Sequence, residues 1–142
     1  MSADLTDVDT WIWRTFTNDV QLNTAVGGRI YSDQAPQGAT EPLVIYAFLG
    51  GSDKIQTFRT RFTNAIYLIR AVAQDSTFTV VKAIADRMDE LLTVPTQGSS
   101  IGDILISTVI REQPHQRKDM ENGIPVVYLG GFYRIKYQPL GL

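Results

Sequence analysis

The segment from Thr77 to Leu92 constrains the fold more than any other part of the sequence. Val80, Val81, Ile84, Met88, Leu91 and Leu92 recur at spacings of three and four, while Lys82, Asp86, Arg87 and Asp89 take the other side. Apolar residues at that period make one stripe along an α-helix, and such a stripe must be buried against a partner layer. Asp75 or Ser76 can cap the start, and Pro95 with Gly98 prevents continuation. The segments on either side supply the partner layer in β form.

Leu43 to Gly51 reads LVIYAFLGG, a near-continuous apolar run rich in β-branched and aromatic residues, which Gly50 and Gly51 break. A second strand is expected from Phe62 to Gln74, with the polar SDKIQTFRT as a hairpin loop of roughly ten residues. Beyond the helix, Ile104 to Glu112 alternates Ile104, Ile106, Thr108 and Ile110 against Leu105, Ser107, Val109 and Arg111. A last strand, Ile124 to Gln138, places Val127, Leu129, Tyr133, Ile135 and Tyr137 on one side, with Gly130 and Gly131 interrupting it as a bulge would. The polar QPHQRKDMENG between these strands reads as a loop with a turn at Asn122-Gly123.

Near the start, Val8, Trp11, Ile12, Phe16, Val20 and Leu22 predict a single helix from Asp7 to Val26. Thr6 is its expected cap, Asp4, Asp7 and Asp9 are capping or dipole partners, and Gly27 with Gly28 ends it. Trp13 falls off the stripe and points to a second contact surface. The expectation is one α+β domain over residues 1–142, in the order α-β-β-α-β-β. It has a mainly antiparallel four-stranded sheet and two helices packed on one face. Tyr46, Phe48, Tyr67, Phe132 and Tyr133 cannot all point at two helices, so a partner is expected on the other face.

The residues offer little chemistry. The chain has no cysteine, which excludes a disulfide scaffold, a thiolate zinc site and a Cys nucleophile. His115 is the one histidine, set between Pro114 and Gln116 in the charged loop, where it reads as a solvated residue. No loop carries an Asp-x-Asp pair and no helix a Glu-x-x-His, so no metal is expected. Gly27-Gly28 and Gly50-Gly51 fit neither the P-loop nor the dinucleotide pattern, so no cofactor and no enzyme activity are expected. Thirteen basic and 15 acidic residues give a net charge of −2, without a molecule-wide basic footprint for nucleic acid. The opening MSADLTDVDT lacks signal-peptide features, and no apolar run approaches the ~20 residues that span a bilayer, so a soluble protein without a membrane partner is expected.

Two groups of basic residues flank the expected hairpin loops: Lys54, Arg59 and Arg61 in one, Arg111, Arg117 and Lys118 in the other. Asp53, Glu112, Asp119 and Glu121 stand among them, so the loops read either as solvated or as facing a polyanion.

The stretch VGGRIYSDQAPQGATEPLVIY, Val26 to Tyr46, resembles a segment of the tail terminator, or tail completion, proteins of long-tailed bacteriophages. The matching elements are Gly28-Arg29-Ile30-Tyr31, Ala35-Pro36-Gln37-Gly38-Ala39 and Pro42-Leu43-Val44-Ile45-Tyr46, followed later by an Asn-Gly-Ile-Pro entry to the last strand. The resemblance implies a subunit of a homo-oligomeric ring, a hexamer, that caps the tail tube and stops its polymerisation. It also implies a docking surface for the head connector, or stopper, and genomic DNA passing through the lumen without sequence-specific binding. The place would be the neck of a virion assembled in the host cytoplasm. By sequence position, Arg29, Tyr31, Pro36 and Gln37 are candidate subunit or ring contacts. Lys54, Arg59, Arg61, Arg117 and Lys118 are candidate lumen or docking residues. The alternatives are a head-completion or stopper ring of the same neck, a small enzyme using Asp or Arg, and a host binding module.

Overall fold

A computed structural model describes residues 4–55, 61–93, 99–102 and 104–139. Where one helix is expected from Asp7 to Val26, the chain forms two, α1 (Asp4–Thr17) and α2 (Val20–Val26). Asp19 makes the break. Its backbone is extended, at φ −86° and ψ 116°, and its carboxylate accepts the Leu22 amide as an N-cap. The same carboxylate accepts two guanidinium bonds from Arg87, at 2.6 and 3.0 Å. One residue thus starts α2 and ties it to the third helix, α3 (Thr79–Thr93). Thr6, the expected cap, lies inside α1, where its carbonyl accepts the Thr10 hydroxyl. Gly27 ends α2 as expected, in the left-handed region at φ 59°.

The Arg87 guanidinium holds the Asp19 carboxyl below the usual carboxylate range, assisted by the Leu22 amide and opposed by partial burial. A folded value below the unfolded one means that this stabilisation is complete above the ordinary carboxylate pKa and is lost as pH falls through the folded value. Asp19→Ala should cost about 1 kcal/mol for the cap alone. Asp19→Asn keeps a capping oxygen and should cost less. Urea unfolding checks both, and the gap between the parent and Asp19→Asn should close in acid.

The strands are β1 (Ile30–Ser32), β2 (Leu43–Ile55), β3 (Arg61–Ala73), β4 (Ser99–Ile101), β5 (Ile104–Glu121) and β6 (Ile124–Pro139). They form one sheet in the order β1-β2-β3-β6-β5-β4. β1 runs parallel to β2, and the other neighbours are antiparallel. The expected four-stranded, two-helix order α-β-β-α-β-β is therefore wrong. The chain has three helices and a six-stranded mixed sheet, in the order α-α-β-β-β-α-β-β-β. β1 and β4 escape a pattern search because three residues cannot display an alternation.

The expected hairpins exist but reach further. β2 passes through Gly50-Gly51 to Ile55, and β5 runs on through the polar Gln113–Glu121, whose composition predicts a loop. β6 supplies the backbone partners along that whole polar run, which is why it is strand despite its composition. Asn122 and Gly123, at φ 54° and 77°, make the tight turn that their identity predicts.

The register of β5 against β6 shifts between Ile106 and Thr108. The bulge reverses the expected alternation: Val109 turns inward and is buried, while Ile110 is 56% exposed. Gly130 and Gly131 do not bulge β6. A second irregularity lies on β5 between Arg111 and Gln113, opposite Tyr133 and Phe132, and Gly131 leaves room for the Arg111 side chain to lie across it.

All three helices pack on one face of the sheet. Ile12 and Phe16 of α1, Leu22 of α2, and Ile84, Met88 and Leu92 of α3 meet Val44, Tyr67, Ile69, Tyr133 and Ile135. Tyr46, Tyr67 and Tyr133, expected to need a second partner, are buried here. The Tyr67 hydroxyl donates to Asp9 and that of Tyr133 to Asp89, at 2.9 Å for the latter. Asp9 thus serves a core tyrosine rather than the helix dipole.

Candidate interaction surface

Because β1 and β2 are parallel neighbours, the chain must travel back along the sheet between them. Residues 33–42 make this return over the face opposite the helices. Ala35 and Ala39 pack with Tyr31 and Tyr128 around Leu43, Val72 and Val126, a second and smaller apolar cluster. The connector is a crossover without a helix, which accounts for its length.

Its tip is a turn. The Pro36 carbonyl accepts the Ala39 amide at 3.1 Å, and Gly38 occupies the third position at φ 78°, where glycine carries no strain. Pro36 and Gln37 project from it, exposed. Arg29 and Tyr31 are committed inside the subunit: Arg29 Nε donates to the Pro42 carbonyl at 3.0 Å, and Tyr31 lies against the second cluster. Of the four residues assigned to the connector surface, the outward pair is Pro36 and Gln37.

The two basic groups do not come together. Arg59 lies outside the described residues, as do the side chains of Lys54 and Arg61, whose backbones sit at the β2–β3 turn end of the sheet. Arg117 and Lys118 pair with Tyr128 and Val127 near the far end of β6. β3 spans that separation, roughly 40 Å at ~3.3 Å per residue. Arg117 and Lys118 are also adjacent on one strand, so they point to opposite faces.

On the face away from the helices the sheet builds a cluster that no sequence motif announces. The Arg70 guanidinium stacks over the Tyr128 ring at 4.8 Å, and Arg117 approaches the same ring at 5.8 Å. Tyr128 donates its hydroxyl to Glu121 at 3.1 Å, and Arg117 pairs with Asp119 at 2.6 Å. His115, expected as a solvated loop residue, is instead on β5, edge-on to Phe132 at 5.7 Å. Its Nε2 is buried without a hydrogen-bond partner among the described residues. Burial, and then the charges of Arg70 and Arg117, pushes its pKa below the usual imidazole range, which leaves it neutral at pH 7. Glu41, from the connector, is pushed up by burial and by Glu121. Arg70 has a signal in the sequence: it is a lone cation inside the apolar run IYLIRAVA.

The rest of this face is half-apolar and open. Leu49, Gly50, Gly51, Asn64, Ile66 and Arg134 line a shallow hollow of about 390 Å³. Among the described residues, no group of three or more His, Asp or Glu side chains is placed to hold a metal ion. The arrangement as a whole provides stacked guanidinium groups, aromatic rings and exposed aliphatic carbons, which are the materials of a binding surface.

No protein-family model matches the chain, and no curated protein does. Among solved structures, a chain from the virion of a native gene transfer agent particle shares the fold. The TM-score is 0.67 over 89% of this chain and 91% of that one, at 13% identity.

Proposed function

We propose that the protein is a structural subunit of a phage-type virion and works at the head–tail junction as a ring-forming tail terminator. In this reading it caps the tail tube, stops tube polymerisation and presents a docking surface to the head connector, with DNA passing through the lumen. It catalyses no reaction; its task is shape recognition. The observation that carries the proposal is the correspondence, across nearly the full length of both chains, with a chain of the gene transfer agent virion. The sheet face left open by the helices and the exposed Pro36–Gln37 turn support it, since a ring subunit needs contact surfaces beyond its own core.

Deletion of the gene tests the assignment. Overlong or uncapped tails are expected, with a broadened length distribution in electron micrographs. Leaky heads beside tails of normal length would instead indicate a stopper, and unaltered particles would end the virion reading.

A further inference from the structure

The shallow hollow of about 390 Å³ on the open sheet face contains a side chain that the fold does not use. Asn64, 9% exposed, is the one buried residue with an amide or charged side chain among the described residues. It lines the hollow, and its carboxamide makes no hydrogen bond to any described residue. Buried polar side chains are ordinarily paired within the chain, so one left facing a hollow points to a group supplied from outside. A carboxamide offers an acceptor and two donors, and a peptide group matches both kinds.

The walls set the rest of the occupant. Leu49 is 53% exposed and Ile66 half-buried, which leaves aliphatic carbon to be covered. Gly50 contributes no side chain, and a β-carbon there would meet nothing within 4 Å. Arg134, the one charged residue of the described lining, is answered by Glu112 at 2.8 Å, so the hollow selects a neutral occupant. It is too shallow to enclose a free small molecule as a ligand pocket does. It is also open to the side, because β1 leaves β2 at Tyr46 and no described strand pairs with the outer edge of β2 from Ala47 onward. A protein segment that anchors one side chain and continues past the edge fits this shape. We propose that the hollow seats a neutral segment of another protein, with an apolar side chain against Leu49 and Ile66 and a peptide group paired to the Asn64 carboxamide. A second copy of this chain would bring its neutral Pro36–Gln37 turn, which lies on the same open face. That contact sets open face against open face and closes at two copies, so the choice of another protein rests on the ring reading.

The probe for the site is N-acetyl-leucinamide, a neutral leucine between two amide groups. Titrated into the isotope-labelled full-length protein, it should move the nuclear magnetic resonance signals of the Asn64 carboxamide and the Gly50 and Gly51 amides saturably, in the millimolar range. Gly50→Leu fills the hollow from within and should weaken binding about tenfold, as should Asn64→Leu. Asn64→Leu should also melt at or above the parent temperature, because no bond inside the chain is lost. Absence of saturable shifts, shifts that survive Gly50→Leu, a lower melting temperature for Asn64→Leu, or tighter binding of the carboxylate N-acetyl-leucine overturns the proposal. So does a parent dimer that Gly50→Leu dissociates, which assigns the hollow to a second copy. In a deletion strain, soluble Gly50→Leu protein should fail to restore normal particles. Full restoration by that variant removes the partner and leaves the ring reading standing. Normal particles without the gene, beside a successful titration, remove the ring reading and leave the site.

Discussion

Gly130→Val should yield a protein that unfolds at much lower urea than the parent, or that fails to accumulate in soluble form. A β-carbon built on Gly130 would run into the Ile69 carbonyl oxygen and come within 2.6 Å of the Arg70 Cα, both on the adjacent strand β3. These are backbone atoms in the middle of the sheet, so no rotamer change relieves the clash. β3 and β6 would have to separate, at a cost of about 3 kcal/mol or more, the upper end of ordinary overpacking. Gly51→Ala should behave similarly, since its β-carbon would strike the Asn64 carbonyl. Gly50→Ala, one residue away, meets open space and should be close to neutral. If Gly50→Ala and Gly51→Ala proved equally stable, the assigned approach of β2 to β3 would be wrong.

The second large effect is alkaline unfolding. Burial, helped by the Asp9 charge, pushes the Tyr46 hydroxyl up to about 12. Tyr67 and Tyr133 are displaced the same way, chiefly by burial and then by their bonds to Asp9 and Asp89. Their folded values lie above the unfolded one. The stability from keeping them protonated is therefore full below the ordinary tyrosine pKa of about 10 and is lost as pH rises toward the folded values. Tyr46 alone is worth about 3 kcal/mol across that window, because each tenfold change in an ionisation equilibrium corresponds to ~1.4 kcal/mol. Cooperative unfolding is expected between roughly pH 10 and 12, with these phenolates appearing together with the loss of far-ultraviolet ellipticity. Ionisation of all six tyrosines near pH 10 with the ellipticity intact would contradict the burial of Tyr46, Tyr67 and Tyr133.

Periodicity located the long elements. α3 lies within two residues of its expected start and one of its expected end, and both hairpins join the strand pairs that the alternation indicates. Periodicity failed where a single backbone event resets the phase. The Asp19 cap divides one amphipathic stripe into two helices, and the β5 bulge exchanges the roles of Val109 and Ile110. It failed also where polarity stood in for irregularity, because Gln113–Glu121 is a strand whose ladder partner lies elsewhere in the sequence.

The candidate surface was less legible still. Arg70, Arg117, Tyr128 and His115 come from three strands, and their proximity depends on cross-strand register. Lys54 and Arg61 stand apart from Arg117 and Lys118 for a related reason, because hairpin turns that look alike in sequence open at opposite ends of the sheet.

By itself the sequence determined the α+β composition, the helix ends at Gly27 and before Pro95, the Asn122-Gly123 turn and the tip of the connector. Each of these is set by local φ/ψ preference or by side-chain period within one segment. Tertiary structure alone decided the parallel β1–β2 pairing, the crossover path of residues 33–42, the burial of the core tyrosines and the cation–aromatic cluster on the open face. Those features depend on long-range strand pairing, where a shift of one residue turns every side chain to the other side of the sheet.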